Sequence, residues 1–161
     1  MLSRRSMLFS GSALLIASSA YLWTSRSASG SDGIWYAGTD GFAADGADVV
    51  AYHTLQADAA GRSGTSAHVA EWAGAKWRFV SAENKAIFLQ NPQKYAPQYG
   101  GYCAWAMARG YKAHGDVDAW MIVGGRLYLN YDENIRRRWQ KDIPGFIADA
   151  DQQWPTVRGT G

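Results

Sequence analysis

The chain has 161 residues, is 47% hydrophobic and carries a formal net charge of +2 at pH 7. Three of its 16 basic residues and none of its 14 acidic residues lie within residues 1–29, so the remainder has 13 bases against 14 acids, a net charge of −1. Nucleic-acid partners require a basic face to offset phosphate charge, so no nucleic-acid partner is expected.

Residues 1–29 are predicted to be an export signal and the start of a tether. The pair Arg4 and Arg5 precedes a modestly apolar run from Met7 to Trp23, a pattern typical of twin-arginine signals, with an ordinary secretory signal as the alternative. The run is shorter than the roughly 20 apolar residues that cross a bilayer. We therefore expect a periplasmic protein with no stable membrane span after signal removal, and leave the cleavage site open.

Residues 30–161 are expected to form a single domain, large enough for a buried core. The segment DVVAYHTL, residues 48–55, predicts a strand, and AHVAEW and KWRFVS predict a hairpin turning at Gly74. In that hairpin Trp77 and Phe79 should lie on one face and Arg78 on the other. Ser81 is placed to cap a helix over AENKAIFLQN, which the following proline ends.

The second half predicts three more helices and a second hairpin. The segment YCAWAMAR should form a helix ending near Gly110, and MIVGGRLYLNY a hairpin turning at its two glycines. Asp132 can cap a helix over ENIRRRWQKD with all three arginines on its solvated side, and Pro144 can open a last helix. The predicted class is therefore α+β, with small antiparallel β-hairpins packed against three to four short helices.

The segments DVVAYH, AKWRFVSAENKAIFLQNPQKYAPQYGGYCAWA, GRLYLNY and ADQQWP, in this order, resemble the exported YHS-domain proteins. The resemblance covers nearly all of the chain after the signal. It implies a YHS-like domain and a periplasmic binding or accessory protein that is not catalytic, with a connection to metals through shorter YHS modules. Those modules carry two cysteines at a strand-to-helix junction, where this chain has Val80 and Asn84. The scaffold therefore carries over without that metal site.

Cys103 is the only cysteine. If it begins a helix, Met107 lies one turn later on the same face and His114 follows shortly after, and this thiolate, thioether and imidazole together would suit Cu(I). The alternative is that both sulfur residues simply pack in the core. A redox enzyme using the thiol would need a nearby base, and no histidine is fixed there by spacing. A protein-binding scaffold is the third class of function.

A set of polar and aromatic residues on separate predicted elements leaves two interpretations open. Their hydroxyl, amide and carboxylate groups could line a small polar pocket, or they could form a hydrogen-bonded core network. The set comprises Tyr99, Gly100, Gly101 and Tyr102 together with Asp48, Tyr52, Tyr128 and Asn130.

Overall fold

The computed structural model describes residues 34–159. Strands β1 (Thr65–Trp72) and β2 (Ala75–Phe79) form the first antiparallel hairpin, which turns at Ala73 and Gly74. Trp77 and Phe79 are buried and the intervening Arg78 is partly exposed, so the hairpin and the predicted facing of its second strand are confirmed.

Two helices follow this hairpin. Helix α1 (Ala82–Gln90) begins where the Ser81 hydroxyl accepts a hydrogen bond from the Asn84 backbone at 3.1 Å, which is the predicted cap. Helix α2 (Pro92–Tyr95) is a single turn with its proline at the first position, where no backbone N–H is needed.

The second half contains α3 (Ala104–Met107), the antiparallel hairpin of β3 (Asp116–Val123) and β4 (Arg126–Asn130), then α4 (Glu133–Trp139) and α5 (Ile143–Val157). Asp132 caps α4 by accepting a hydrogen bond from the Ile135 backbone at 2.7 Å, and a proline lies in the first turn of α5. Both features were predicted. Short 3-10 turns span Ala44–Gly46, Ala51–His53, Gln98–Gly101 and Gln140–Asp142.

Strand β4 lies between two hydrophobic clusters. Leu127 and Leu129 point into the first cluster, with Trp77 and Phe79, while Tyr128 points into the second, with Trp139. Alternation along a strand sends successive side chains to opposite faces, so one short strand joins both clusters into one compact unit. The predicted α+β class is thereby confirmed. Among residues 34–159, no helix has the length and apolar character needed to cross a bilayer.

The strand predicted at residues 48–55 is wrong, because this segment forms turns. Asp48 Oδ1 accepts hydrogen bonds from the backbone of Val50 at 2.9 Å and of Ala51 at 3.1 Å, and a 3-10 turn follows over Ala51–His53. A short acidic side chain that bonds to its own backbone competes with sheet pairing, and here it overrides the β-branched composition.

Two details of the predicted helices are also corrected. Helix α3 contains only Ala104–Met107, with Cys103 as the residue that caps it, so Cys103 lies before the helix and not inside it. Arg136 is buried at 6% exposure and does not share the solvated face with Arg137 and Arg138. Its guanidinium donates to the Trp120 carbonyl at 3.0 Å, and this bond turns the side chain inward.

Candidate functional site

Cys103 is fully buried at the start of α3, against the end of β4. Its sulfur accepts a hydrogen bond from the Ala106 backbone at 3.4 Å, and its thiol lies 4.0 Å from Asn130 Oδ1. The same amide oxygen accepts a hydrogen bond from the Trp105 backbone at 3.3 Å. The thiol is therefore enclosed by the helix start on one side and by a buried amide on the other.

Burial raises the pKa of the Cys103 thiol, although backbone N–H groups of Ala106, Tyr131 and Trp105 act in the opposite direction. Removing a thiolate from water costs more than these hydrogen bonds return. The neutral thiol is therefore the stable form near pH 7, whereas a nucleophile or soft-metal ligand must be the thiolate.

The three residues predicted to bind copper differ in exposure, although the backbones of Cys103 and His114 are neighbours, since the Cys103 N–H donates to the Ala113 carbonyl at 2.9 Å. Met107 is fully buried in the second hydrophobic cluster, and its backbone N–H donates to the Cys103 carbonyl at 2.9 Å. His114 is exposed, and its ring centroid lies 4.3 Å from that of Tyr131. Both sulfur-bearing residues are thus interior and the imidazole is at the surface. The described part of the chain contains no group of three or more His, Cys, Asp or Glu side chains placed to hold a metal ion.

Above the buried thiol, four rings form what we call the aromatic surface cluster. The His114 and Tyr131 rings are in contact, the Tyr36 centroid lies 6.0 Å from that of His114, and Tyr102 lies 5.9 Å from Tyr36. His114 and Tyr131 are exposed, the latter at 45%. Four positions separated in sequence supply these rings, so no local pattern could have predicted the cluster, and Tyr36 in particular carried no sequence signal.

Tyr36 is held in this cluster by its backbone. Its N–H donates to the Gly100 carbonyl at 2.7 Å, and its carbonyl accepts from the Ala44 N–H at 3.0 Å. These two partners, Gly100 and Ala44, lie in segments whose backbone adopts left-handed φ values. Ala44 and Asp45 have φ +50°, and Tyr99 has φ +54°. Non-glycine residues in this region are strained, and such strain persists only where tertiary contacts enforce it.

Asp48 is fully buried against the junction of β2 with α1. Besides its bonds to the turn after it, its Oδ2 accepts from the Val80 backbone N–H and from Asn84 Nδ2, both at 2.8 Å. A carboxylate with four donors thus joins the turn after it to Val80 and Asn84. This contact belongs to the scaffold, since every oxygen is occupied by protein donors.

Two tyrosines of the set described above also bond within the fold. Tyr52 Oη donates to the Val117 carbonyl at 2.7 Å, and Tyr99 Oη donates to Asp151 Oδ1 at 2.9 Å. Burial raises the pKa of both tyrosines far above the ordinary value. These contacts are those of a hydrogen-bonded core network, and they leave the two phenols neutral at physiological pH.

A cavity of about 380 Å³ lies between β3, α4 and the loop that carries Asp58, and we call it the acidic cavity. Arg136 lies against it, with its guanidinium bonded to the carboxylates of Asp58 and Glu133. Four carboxylates and one guanidinium line the cavity, a formal charge of −3. The lining residues are Asp58, Asp116, Asp118, Ala119, Glu133 and Arg136.

No family model, curated protein or solved structure matches this chain.

Proposed function

We propose that the protein is an exported binding or accessory protein of the YHS type and that it is not catalytic. The observation that carries the proposal is the state of Cys103, the only thiol in the chain, which is fully buried with a raised pKa. The exposed rings of His114 and Tyr131, from other segments of the chain, form part of the aromatic surface cluster. A surface of exposed rings supports recognition, whereas a buried neutral thiol does not support turnover.

Thiol alkylation of the folded protein tests this proposal. Cys103 is expected to react with iodoacetamide at pH 7.5 only after denaturation, because both burial and protonation protect the sulfur in the native state. Mass spectrometry before and after addition of urea measures the modified fraction. Rapid labelling of the native protein would favour the competing class, a thiol-dependent redox enzyme that uses Cys103.

Copper handling is proposed as the metal-related form of this function. The donors of Cys103, Met107 and His114 suit Cu(I) in type, but the structure holds the two sulfur residues inside and the imidazole at the surface. Binding through all three would therefore require this region to open, so we place no preassembled copper centre here.

Copper content and cell fraction can be measured on one preparation. Export and copper handling together predict that protein recovered from the periplasmic fraction of its native cell carries about one copper per chain, and that Cys103→Ser abolishes it. His114→Ala tests the imidazole of the predicted trio. Its matched control is His68→Ala, which removes an imidazole on β1 outside that trio. Copper retained equally by Cys103→Ser would contradict the copper proposal, and recovery from the cytosolic fraction would contradict export.

A further inference from the structure

The aromatic surface cluster and the acidic cavity are neighbours on the second hairpin. Asp116, which lines the cavity, pairs with Asn130 across the hairpin. Of the cluster, His114 lies two residues before Asp116 and Tyr131 directly follows Asn130. The carboxylates of Asp45 and Asp116, after burial, also contribute to a raised pKa of Tyr36. Negative charge therefore lies close to the exposed rings.

Aromatic rings beside carboxylates favour cations. The face of a tyrosine ring attracts an ammonium group, and a nearby carboxylate adds Coulomb attraction. The cluster already shows this preference, because the Lys112 ammonium lies 5.4 Å from the Tyr102 ring centroid.

The two surfaces place different demands on a ligand. The cavity, with its formal charge of −3, requires several positive charges, and it is large enough for part of an extended molecule. The exposed rings require an apolar segment or an ammonium group that can lie on their faces. A linear polyamine meets both demands, since its amines are protonated near neutral pH, as a lysine side chain is, and methylene runs separate them.

We propose that the aromatic surface cluster and the acidic cavity together form a binding site for a linear polyamine. The ammonium groups bind the cavity carboxylates, of which Arg136 engages Asp58 and Glu133. Asp116 and Asp118 each accept one backbone N–H at Oδ1, and their Oδ2 atoms are the acceptors offered to the ligand. The methylene chain and the last ammonium group lie across Tyr131 and His114. This inference rests on the proposed function, because it names the ligand class of a binding protein.

Isothermal titration calorimetry of the purified chain with the triamine spermidine tests the site at low salt, where surface electrostatics are least screened. A saturable heat with one ligand per chain is expected. Tyr131→Ala should weaken binding about threefold, since it removes an exposed cation–π contact. Asp116→Asn should weaken it by a similar or larger factor, while its amide oxygen can still accept the bond that Asp118 N–H donates to Asp116 Oδ1 at 2.8 Å.

Two control variants separate a site from general charge attraction. Tyr111→Ala removes a tyrosine that is 47% exposed but outside the cluster, and Asp149→Asn removes an exposed carboxylate outside the cavity. Neither should change the affinity, and the thermal midpoint of each variant confirms that it is folded. The proposal is overturned if spermidine gives no saturable heat, if the controls weaken binding as much as the site variants, or if a lysine-rich peptide binds where spermidine does not.

Failure of the polyamine site and failure of the proposed function are distinguishable. No spermidine binding together with an unreactive native thiol removes the ligand class and leaves a binding protein. Rapid native alkylation of Cys103 removes the proposed function whatever spermidine does.

Discussion

At the scale of single residues, Asp48 shows how hydrogen bonds accommodate a buried carboxylate. Its two oxygens accept four hydrogen bonds, two from the following turn and two from the junction of β2 with α1. A buried carboxylate is tolerated when donors replace its hydration, and each such charge-assisted bond is stronger than a neutral one. One side chain thereby joins a turn to a strand and to a helix start.

Asp48→Asn is expected to lower the free energy of unfolding by about 3 kcal/mol, because the new amide group presents its own N–H to a protein donor. Urea denaturation followed by tryptophan fluorescence measures the change. Asp149→Asn, an exposed carboxylate on α5, is the matched control and should shift stability by less than about 0.5 kcal/mol. Equal effects of the two substitutions would contradict the role given to Asp48.

At the scale of elements, the segment from Ile34 to Gly46 acts as a strap across the first hairpin. Trp35 Nε1 donates to the Ala73 carbonyl at 3.0 Å, and the Trp35 ring packs against Trp72 and Trp77 with centroids 5.3 Å and 5.1 Å apart. Its far end is fixed where Ala43 N–H donates to the Lys76 carbonyl at 2.9 Å. The strap carries Tyr36 to the aromatic surface cluster, so its docking builds that surface.

Gly100 is the point where the strap passes closest to the rest of the chain. Its φ is +65°, and a Cβ at this position would lie 1.7 Å from the Ile34 carbonyl oxygen. Gly100→Ala should therefore lower the free energy of unfolding by at least about 2 kcal/mol, since backbone atoms must move apart.

The control is Gly74→Ala in the first hairpin turn, with φ +76° and nothing near the added Cβ. Gly74→Ala should lower the free energy of unfolding by about 1 kcal/mol, because it adds only the conformational cost of a side chain at positive φ. Urea denaturation of both variants isolates the steric part as their difference. Equal losses in the free energy of unfolding would show that the backbone at Gly100 moves apart at no cost, which would contradict the expected clash.

At the scale of the whole molecule, the two hydrophobic clusters meet through β4, and the turn over Ala51–His53 is held against α2 beside the first of them. His53 and Tyr95 make this contact, with ring centroids 5.0 Å apart in an edge-on arrangement. His53 Nε2 is buried and has no hydrogen-bond partner within the described residues. Burial, with the nearby Lys94 charge, lowers the pKa of this histidine.

A lowered pKa in the folded state makes stability depend on acid. Above the unfolded value of about 6.5 the imidazole is neutral in both states, so its contribution is complete. As the pH falls below 6.5 the unfolded chain binds the proton first, and stability declines until the folded pKa is passed. His53→Gln should therefore lose less stability between pH 7.5 and pH 5.5 than the unmodified protein, measured by urea denaturation at each pH. Parallel losses would contradict this role.

Much of the local structure could be predicted because it depends on near neighbours. Ser81 and Asp132 cap helices through bonds that span three residues, and Gly74 turns a hairpin between adjacent strands. The strand prediction for residues 48–55 was wrong because local hydrogen bonds to the Asp48 side chain outweigh the β propensity of the segment. The other two hydrogen bonds to Asp48 come from residues more than 30 positions away, which local patterns do not reveal. The prediction that Arg136 is solvated was wrong because its burial depends on a hydrogen bond to the Trp120 carbonyl in β3.

The amino-acid sequence was sufficient for the α+β class, both hairpins and the capped helices, since turn, cap and alternation signals act over a few residues. The candidate site required the tertiary structure. Burial of the thiol, exposure of His114 and the meeting of Tyr36 with Tyr131 all arise from contacts between distant segments. Packing between distant segments determines which side chains are exposed to water, and the spacing of residues along the chain does not predict it.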